Sequence, residues 1–413
     1  MTIPQKPQYI ATYETLGLGL FLHWGLYSQL GSGEWVMHHH QLPRSQYRKL
    51  ADTFTASKFD ADAIVRLAKA SGIRYICLTT RHHDGFSLYD TRGLSEFDAP
   101  HSAAGRDLIQ EYAAACHAHD MPMFFYHTTL DWMVDTFDTD WDGYLQYLRD
   151  SVEVLCKHYG KVAGFWFDGN WSRPERDWQE DELYELIRTY HPECIIVNNT
   201  GISARGATGN THIDVLTFEQ GHPSPIDRTN APKYQACEMC ETINSHWGTA
   251  SLDLTHKSPA QLIESLAACR RYGANLLLNI GPTAEGGIPA YEAAVLQTIG
   301  RWIETCGQGI YEGEPTELNC HGSHFVLKVG RGYHCFVHNV PIQGNSHLLQ
   351  GDSGAGWITV DGELPKITAV RWLDNQEQLH FVQDRSQNVF AFEATPYPYG
   401  RNLVVRTAVF ETE

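Results

Sequence analysis

Two hydrophobic patterns alternate along the first three-quarters of the chain. One is a short apolar run without polar interruption. The other spaces apolar residues three or four apart, the period of an amphipathic helix. Uninterrupted runs predict strands at Leu16–His23, Ile73–Thr79, Met121–Tyr126, Val162–Asp168, Cys194–Val197, Asp214–Phe218, Tyr234–Cys237 and Asn275–Ile280. Helical patterns occupy Phe59–Gly72, Asp107–His119, Asp142–Tyr159, Trp178–Tyr190, Ser258–Tyr272 and Pro289–Thr305. In the first of these, Ile64, Leu67, Ala68 and Ser71 share one face, with Asp60 placed as N-cap and Gly72 as C-cap. Ser258-Pro259-Ala260-Gln261 opens another as a capping box with proline at the first helical position, and Gly273 closes it.

Strands that are apolar along their whole length, rather than at alternate positions, belong to a parallel sheet buried on both faces. Separated by helices, they predict an α/β fold, a (β/α)8-like barrel of the TIM type. A doubly wound open sheet would share the alternation, but no G-x-G-x-x-G follows any strand. Past Gly313 the helical period vanishes. Short strands at His324–Val329, Tyr333–His338, Trp357–Val360, Ala369–Leu373, Leu379–Val382, Val389–Glu393 and Leu403–Phe410, punctuated by Gly, Asp and Asn, predict a small antiparallel β-sandwich. The expected division is a catalytic barrel over residues 1–312 and a β-sandwich over 313–413, with no internal repeat or low-complexity linker.

Charge removes some function classes. The 31 basic and 49 acidic residues leave a net charge of −18, which repels nucleic acid and anionic membrane surfaces alike. No run is long and apolar enough for a membrane span, and the N-terminal MTIPQKPQYIATYETLG lacks a hydrophobic signal core, so a cytoplasmic location is expected. The ten cysteines are scattered, and Cys77, Cys116 and Cys269 fall on apolar faces; they read as reduced, buried thiols rather than a disulfide framework. Oligomeric state is left open, a homo-oligomer included.

Chemistry-bearing residues gather at strand ends. His23, His82, His83, Tyr126, Asp168, Glu219 and Glu238 each stand at or just past the end of a predicted strand. In a barrel those ends form one rim, where active sites are built. The stretch V-A-G-F-W-F-D-G-N-W at 162–171 is the sharpest case: an apolar strand stops on Asp168, between Trp166 and Trp171, before the turn formers Gly169 and Asn170. Apart from a turn or a helix cap, a carboxylate there has few structural uses, and a catalytic role is expected. The run His38-His39-His40 reads as loop, not as a metal site.

Five motifs, in order, resemble the α-L-fucosidases of glycoside hydrolase family 29. They are L-F-L-H-W-G-L-Y-S at 20–28, G-E-W at 33–35, the stretch 59–86 ending R-H-H-D-G-F, F-W-F-D-G at 165–169, and N-L-L-L-N-I-G-P-T-A-E-G-G-I-P at 275–289. The resemblance covers roughly residues 16–310 and implies a barrel followed by a β-sandwich. It implies that Asp168 is the nucleophile and Trp166 a ring beside it. It makes His23, His82 and His83 hydrogen-bond partners of fucose hydroxyls, and Glu34 and Trp35 a loop pair at the sugar. Tyr126 takes an aromatic place near the nucleophile, with His127 in that place if the alignment slips by one residue. Glu238 sits where the family has W-E-x-C, a position proposed as general acid/base, and Trp247 falls at that motif's W-G. Cys237 departs from the tryptophan before Glu238, and Val36 from an aromatic after G-E-W. Since the acid/base position varies within the family, Glu219 in T-F-E-Q-G-H-P remains the alternative.

A retaining mechanism of this kind needs two carboxyl groups and no metal or organic cofactor. The implied substrate is a fucosylated oligosaccharide or glycoconjugate, with the linkage unspecified. Two other classes fit the same residues: a metal-dependent hydrolase with His23, His82, His83 and Asp168 as ligands, and a carbohydrate-binding protein without catalysis.

Overall fold

The computed structural model describes residues 2–200, 202, 204–344 and 356–413. By internal packing the chain divides into two compact units, one running to Ser258 with Asn275–Gln297, the other comprising Pro259–Ala274 with Thr298–Glu413.

The first unit is a closed parallel barrel of eight strands. They are β1 (Leu18–Leu22), β2 (Tyr75–Arg81), β3 (Met123–Thr128), β4 (Gly164–Asp168), β5 (Ile195–Asn198), β6 (Val215–Glu219), β7 (Ala236–Thr242) and β8 (Asn275–Ile280). Each pairs with the next, and β1 closes the ring on β8. All eight predicted strands form, and nearly every residue in them is buried, as the uninterrupted apolar runs require. Asp60 caps the helix Ala61–Ala70 by accepting from Ala63 N, and Asp107 caps Leu108–Ala118 by accepting from Gln110 N. Helices Trp141–His158 and Glu180–Tyr190 follow β3 and β4, whereas the described residues between β5 and β6 and between β6 and β7 are extended loop.

The two-residue period of a strand selects the barrel interior: Phe21, Tyr75, Cys77, Phe124, Tyr126, Trp166, Val197 and Leu277 face one another there. Gly19 makes room for this packing, because a Cβ at that position would stand 2.3 Å from the Tyr75 ring. The N-terminal helix Gln8–Glu14 adds Ile10 and Tyr13 to the same cluster.

Several strands run further than their sequence pattern predicts, and in β3 and β7 the extension changes the reading of the rim. β3 continues to Thr128, so alternation turns Tyr126 inward and His127 outward, where His127 meets Thr80 Oγ1 at 2.8 Å and Arg81 at 3.0 Å. β7 continues to Thr242, so Glu238 is its third residue rather than a residue beyond its end. Glu219 pairs with Cys240 and Thr217 with Glu238, which sets Glu238 one inward step below the rim, about 6–7 Å deeper.

The second unit is a β-sandwich. One sheet has the order β10 (Asn319–Cys320), β13 (Gly356–Asp361), β16 (Val389–Ala394), β15 (Phe381–Asp384). The other has β14 (Ile367–Trp372), β17 (Val405–Thr412), β12 (Gly332–His338), β11 (Phe325–Val329), β9 (Glu314–Pro315). Val326, Val337, Trp372, Phe390, Phe392 and Phe410 pack in its core. All ten cysteines are buried and unbridged. Among the described residues no helix is long and apolar enough to cross a membrane.

Candidate active site

At the C-terminal end of the barrel strands lies a cavity of about 240 Å³, lined by residues of β1, β3, β4 and β6 and of the loops that follow β1, β2, β4, β5 and β7. Tyr126 and Trp166 are cross-strand partners on β3 and β4, and their rings stack with centroids 5.8 Å apart. One inward step further, Asp168 ends β4. Gly169 follows with φ 123°, and a Cβ there would lie 2.6 Å from the Leu130 backbone nitrogen, so this turn demands glycine.

Asp168 is surrounded by donors. Its Oδ1 accepts from Trp171 Nε1 at 2.8 Å and Asn199 Nδ2 at 3.3 Å; its Oδ2 accepts from the Tyr126 hydroxyl at 3.1 Å and lies 3.5 Å from His83 Nε2. Burial pushes the carboxyl upward, but His83, Trp171 and Tyr126 outweigh it and hold the group below the usual carboxylate range. Asp168 is therefore ionised and aimed into the cavity.

Glu219, at the end of β6, accepts from Asn199 Nδ2 at 2.7 Å. The Thr217 hydroxyl donates to Asn199 Oδ1, so the amide is oriented with its NH2 toward the two carboxylates. Because one nitrogen touches both, the contacted oxygens of Asp168 and Glu219 are at most about 6 Å apart. That fits the separation of about 5–5.5 Å used in double displacement and falls short of the about 6.5–9.5 Å that admits a directly attacking water. Burial raises the Glu219 pKa, and the negative charge of Asp168 raises it further against the Asn199 hydrogen bond. Two neighbouring carboxyl groups are thus driven apart in pKa, one toward ionisation and one toward retaining its proton.

Neutral imidazoles form one wall. Burial pushes the His23 pKa down to about 3, against the hydrogen bond that His23 donates to Asn279. Asn279 Nδ2 donates to Trp247 O, so Asn279 Oδ1 is the acceptor for His23 Nδ1, 2.6 Å away, and the proton of His23 sits on Nδ1. That leaves Nε2 as an acceptor. Burial also holds His82 well below the usual histidine range, and its ring stacks on Tyr126.

Of the residues expected at the site, His23, Trp35, His82, His83, Tyr126, Trp166, Asp168, Glu219 and Trp247 do line this cavity. Three expected residues stand elsewhere. Glu34 is behind the wall, its Oε2 accepting from the backbone nitrogens of Trp247 and Gly248 at 3.0 and 2.8 Å. His127 points outward, as the parity of β3 dictates, so the one-residue slip does not occur. Glu238 is not at the rim: it lies inside the barrel, 1 % exposed, accepting from Tyr13 and Tyr75 hydroxyls and from Trp166 Nε1 at 2.8 Å. Phe21, Trp171 and Asn199 line the cavity without having been expected there. Asn199 immediately follows β5, so the same strand-end position that marks Asp168 and Glu219 marks it as well; in the sequence Trp171 stands out only as a flank of Asp168. Among the described residues, no group of three His, Cys, Asp or Glu side chains is arranged to hold a metal ion.

Comparison with known proteins identifies the family and the fold. The family model for alpha-L-fucosidase matches residues 4–308. Mouse tissue alpha-L-fucosidase is 27% identical over 332 residues, spanning 73% of this chain and 71% of the mouse protein. The structure of alpha-L-fucosidase isoenzyme 1 from Paenibacillus thiaminolyticus superposes with a TM-score of 0.83 at 27% identity, covering 98% of this chain and 99% of the other. A Bacteroides thetaiotaomicron alpha-L-fucosidase, described as a covalent intermediate trapped with 2-fluoro-fucosyl fluoride, shares the fold with a TM-score of 0.81 at 20% identity, over 100% of this chain and 97% of the other.

Proposed function

The chain belongs to the α-L-fucosidase family of glycoside hydrolases, and from that premise we propose that it releases terminal α-L-fucose with retention, using Asp168 as nucleophile and Glu219 as acid and base. The observation that carries this reading is the shared Asn199 amide, which couples two carboxyl groups of opposite pKa displacement. In the first step an Asp168 oxygen attacks the anomeric carbon while the glycosidic C–O bond breaks. Glu219 delivers its proton to the departing oxygen. Esterification removes the negative charge of Asp168, and with it part of what raised the Glu219 pKa, so Glu219 becomes a competent base. In the second step Glu219 takes a proton from water, the water oxygen attacks the anomeric carbon, and the ester bond to Asp168 breaks.

The remaining residues bind the sugar. His23 Nε2 accepts from a hydroxyl, and His82 and His83 offer further ring nitrogens. Trp35, Trp166 and Trp247 present flat apolar surfaces to the sugar's C–H faces. Glu34 acts indirectly, holding the Trp247–Gly248 turn. A cavity of about 240 Å³ suits one monosaccharide, since pockets for drug-sized ligands measure about 300–1,000 Å³. That size supports action on a chain terminus rather than within a chain.

Trapping with 2-fluoro-α-L-fucosyl fluoride tests the assignment. Mass spectrometry of the digested protein should place one fluorofucosyl ester on the peptide carrying Asp168. A label on any other peptide would overturn it.

A further inference from the structure

Asp168 Oδ1 has two donors, Trp171 Nε1 and Asn199 Nδ2, and each directly follows an asparagine in the chain. Those asparagines, Asn170 and Asn198, both donate to one atom, Glu180 Oε1, at 2.7 and 3.1 Å. We propose that Glu180 is a positioning residue for hydrolysis: it ties the turn after β4 to the end of β5 and so fixes both donors on Asp168. The inference rests on the fucosidase reading of the cavity, which Glu180 itself does not line.

Glu180 has a blander use, and the contacts separate the two. It opens the helix Glu180–Tyr190, whose first turn also carries Asp181 and Glu182, and acids there complement the helix dipole. Asp181 and Glu182 are exposed, and Asp181 accepts from Asn210 Nδ2. Glu180 turns inward instead. A dipole needs no bond to β4 or β5, yet the bonds from Glu180 belong to a closed set. Asn170 Oδ1 accepts from the Thr129 hydroxyl at 2.7 Å, and Thr129 N donates to the Asp168 carbonyl at 2.8 Å. The Tyr184 hydroxyl accepts from Asn198 Nδ2 at 2.8 Å and donates to Glu180 Oε1 at 3.2 Å. Both amides are thereby held with their NH2 groups toward Glu180.

Without Glu180, the Asn170 NH2 loses its acceptor and Asn198 keeps Tyr184 alone. Trp171 and Asn199 then lose the anchors beside them. The Trp171 bond lowers the Asp168 pKa and the Asn199 bond lowers that of Glu219, so loosening both lets both values rise. His83 and Tyr126 still face Asp168, and the charges of Glu34 and Arg205 still face Glu219. The whole pH profile should therefore move upward, not merely shrink. A displacement of about 1 Å, even one caused from outside the site, can cost about 100-fold in rate.

The test measures kcat/KM against pH for the wild type and for Glu180→Ala, Glu180→Gln and Glu182→Ala, using an aryl α-L-fucoside and α-L-fucosyl fluoride. With the aryl fucoside, Glu180→Ala should lower kcat about ten- to 100-fold and raise both limbs of the profile. The fluoride needs no acid to depart, so it reports the Asp168 side and should show the raised acidic limb. Glu180→Gln, whose amide oxygen still accepts, should keep most of the wild-type rate and the original limbs. Glu182→Ala removes the same charge from the same turn and should leave the rate within about two-fold. Should Glu180→Ala fail to fold, Asn170→Ala decides: it frees the Trp171 side alone and should raise the acidic limb only. A wild-type rate in Glu180→Ala, a loss with unmoved limbs in either alanine variant, or an equal loss in Glu180→Gln or Glu182→Ala would overturn the proposal. Failure of the wild type to turn over either substrate would instead remove the fucosidase reading beneath it.

Discussion

Glu219 and Glu238 lie on neighbouring strands of one barrel, and burial raises the pKa of both, yet their surroundings give them different work. Glu219 is at the rim, shares an amide donor with Asp168 and borders a cavity. Its proton can go somewhere. Glu238, one step deeper, meets two tyrosine hydroxyls and one indole N–H and no cavity. Its proton has no acceptor outside that cluster. What Glu238 can do is hold Trp166 in place, since the indole it binds at one end stacks on Tyr126 at its face, and Tyr126 donates to Asp168. A raised carboxyl pKa marks a catalytic acid only where the group also faces a site in which the proton is used.

The largest expected effect separates the two by rescue. Glu219→Ala should lower kcat by about 100- to 10,000-fold for substrates with a basic leaving group. Azide, small enough to enter the vacated space and attack the intermediate, should restore turnover and yield an α-L-fucosyl azide of retained configuration. Glu238→Ala should give no azide product, because Glu238 is buried and does not line the cavity. Glu238→Gln, which preserves an acceptor for Trp166 Nε1, should recover most of the wild-type rate. Azide rescue at Glu238 and none at Glu219 would reverse the comparison.

The next effect is read in pH. Asp168 is held below the usual carboxylate range and Glu219 above it, so kcat/KM should rise as Asp168 ionises and fall as Glu219 loses its proton, a bell-shaped profile. Glu219→Gln, assayed with the fluoride that needs no acid, should lose the alkaline limb, and Glu238→Gln should keep it. Stability sharpens the distinction. The Glu238 pKa is raised in the folded state, so in that window the unfolded chain binds fewer protons than the folded one. Stability from this residue is complete below the unfolded glutamate pKa and is lost as pH rises through the folded value. Glu238→Gln should flatten that part of the stability–pH curve measured by denaturant unfolding; an unchanged slope would show that Glu238 does not titrate there.

The same pair marks the limit of what the sequence discloses. Uninterrupted apolar runs identify all eight strands, because a parallel strand covered on both faces admits no polar alternation. The rim follows from where those runs stop, which is enough for Asp168, His82, His83 and Glu219. Strand ends are the weak point. Tyr234–Cys237 reads as a complete run because Glu238 interrupts it, but β7 continues through the glutamate to Thr242, since hydrogen bonds from Tyr13, Tyr75 and Trp166 make a buried carboxylate tolerable there. Those partners come from the N-terminal helix, β2 and β4, distant in sequence, and no local pattern reveals them. His127 illustrates the same limit by parity: an end misplaced by two residues leaves open which of two neighbours faces the cavity.

The smallest effects come from removing one hydroxyl at each level. Tyr126→Phe deletes a donor to Asp168 at the rim, and Tyr13→Phe deletes a donor to Glu238 below it. Each removes a single oxygen from a buried ring that keeps its packing, so shape is held constant and only the hydrogen bond changes. At the rim the lost bond stabilises the ionised Asp168 carboxylate, and the loss should appear as roughly a ten-fold drop in kcat with an upward shift of the acidic limb and little change in stability. Below it, Tyr75 and Trp166 still satisfy the carboxyl group, and the loss should appear as about 1 kcal/mol of unfolding free energy with kcat nearly unchanged. If Tyr13→Phe instead lowered kcat as much as Tyr126→Phe, the deeper carboxyl would be coupled to the chemistry, and the separation between rim and interior would have to be abandoned.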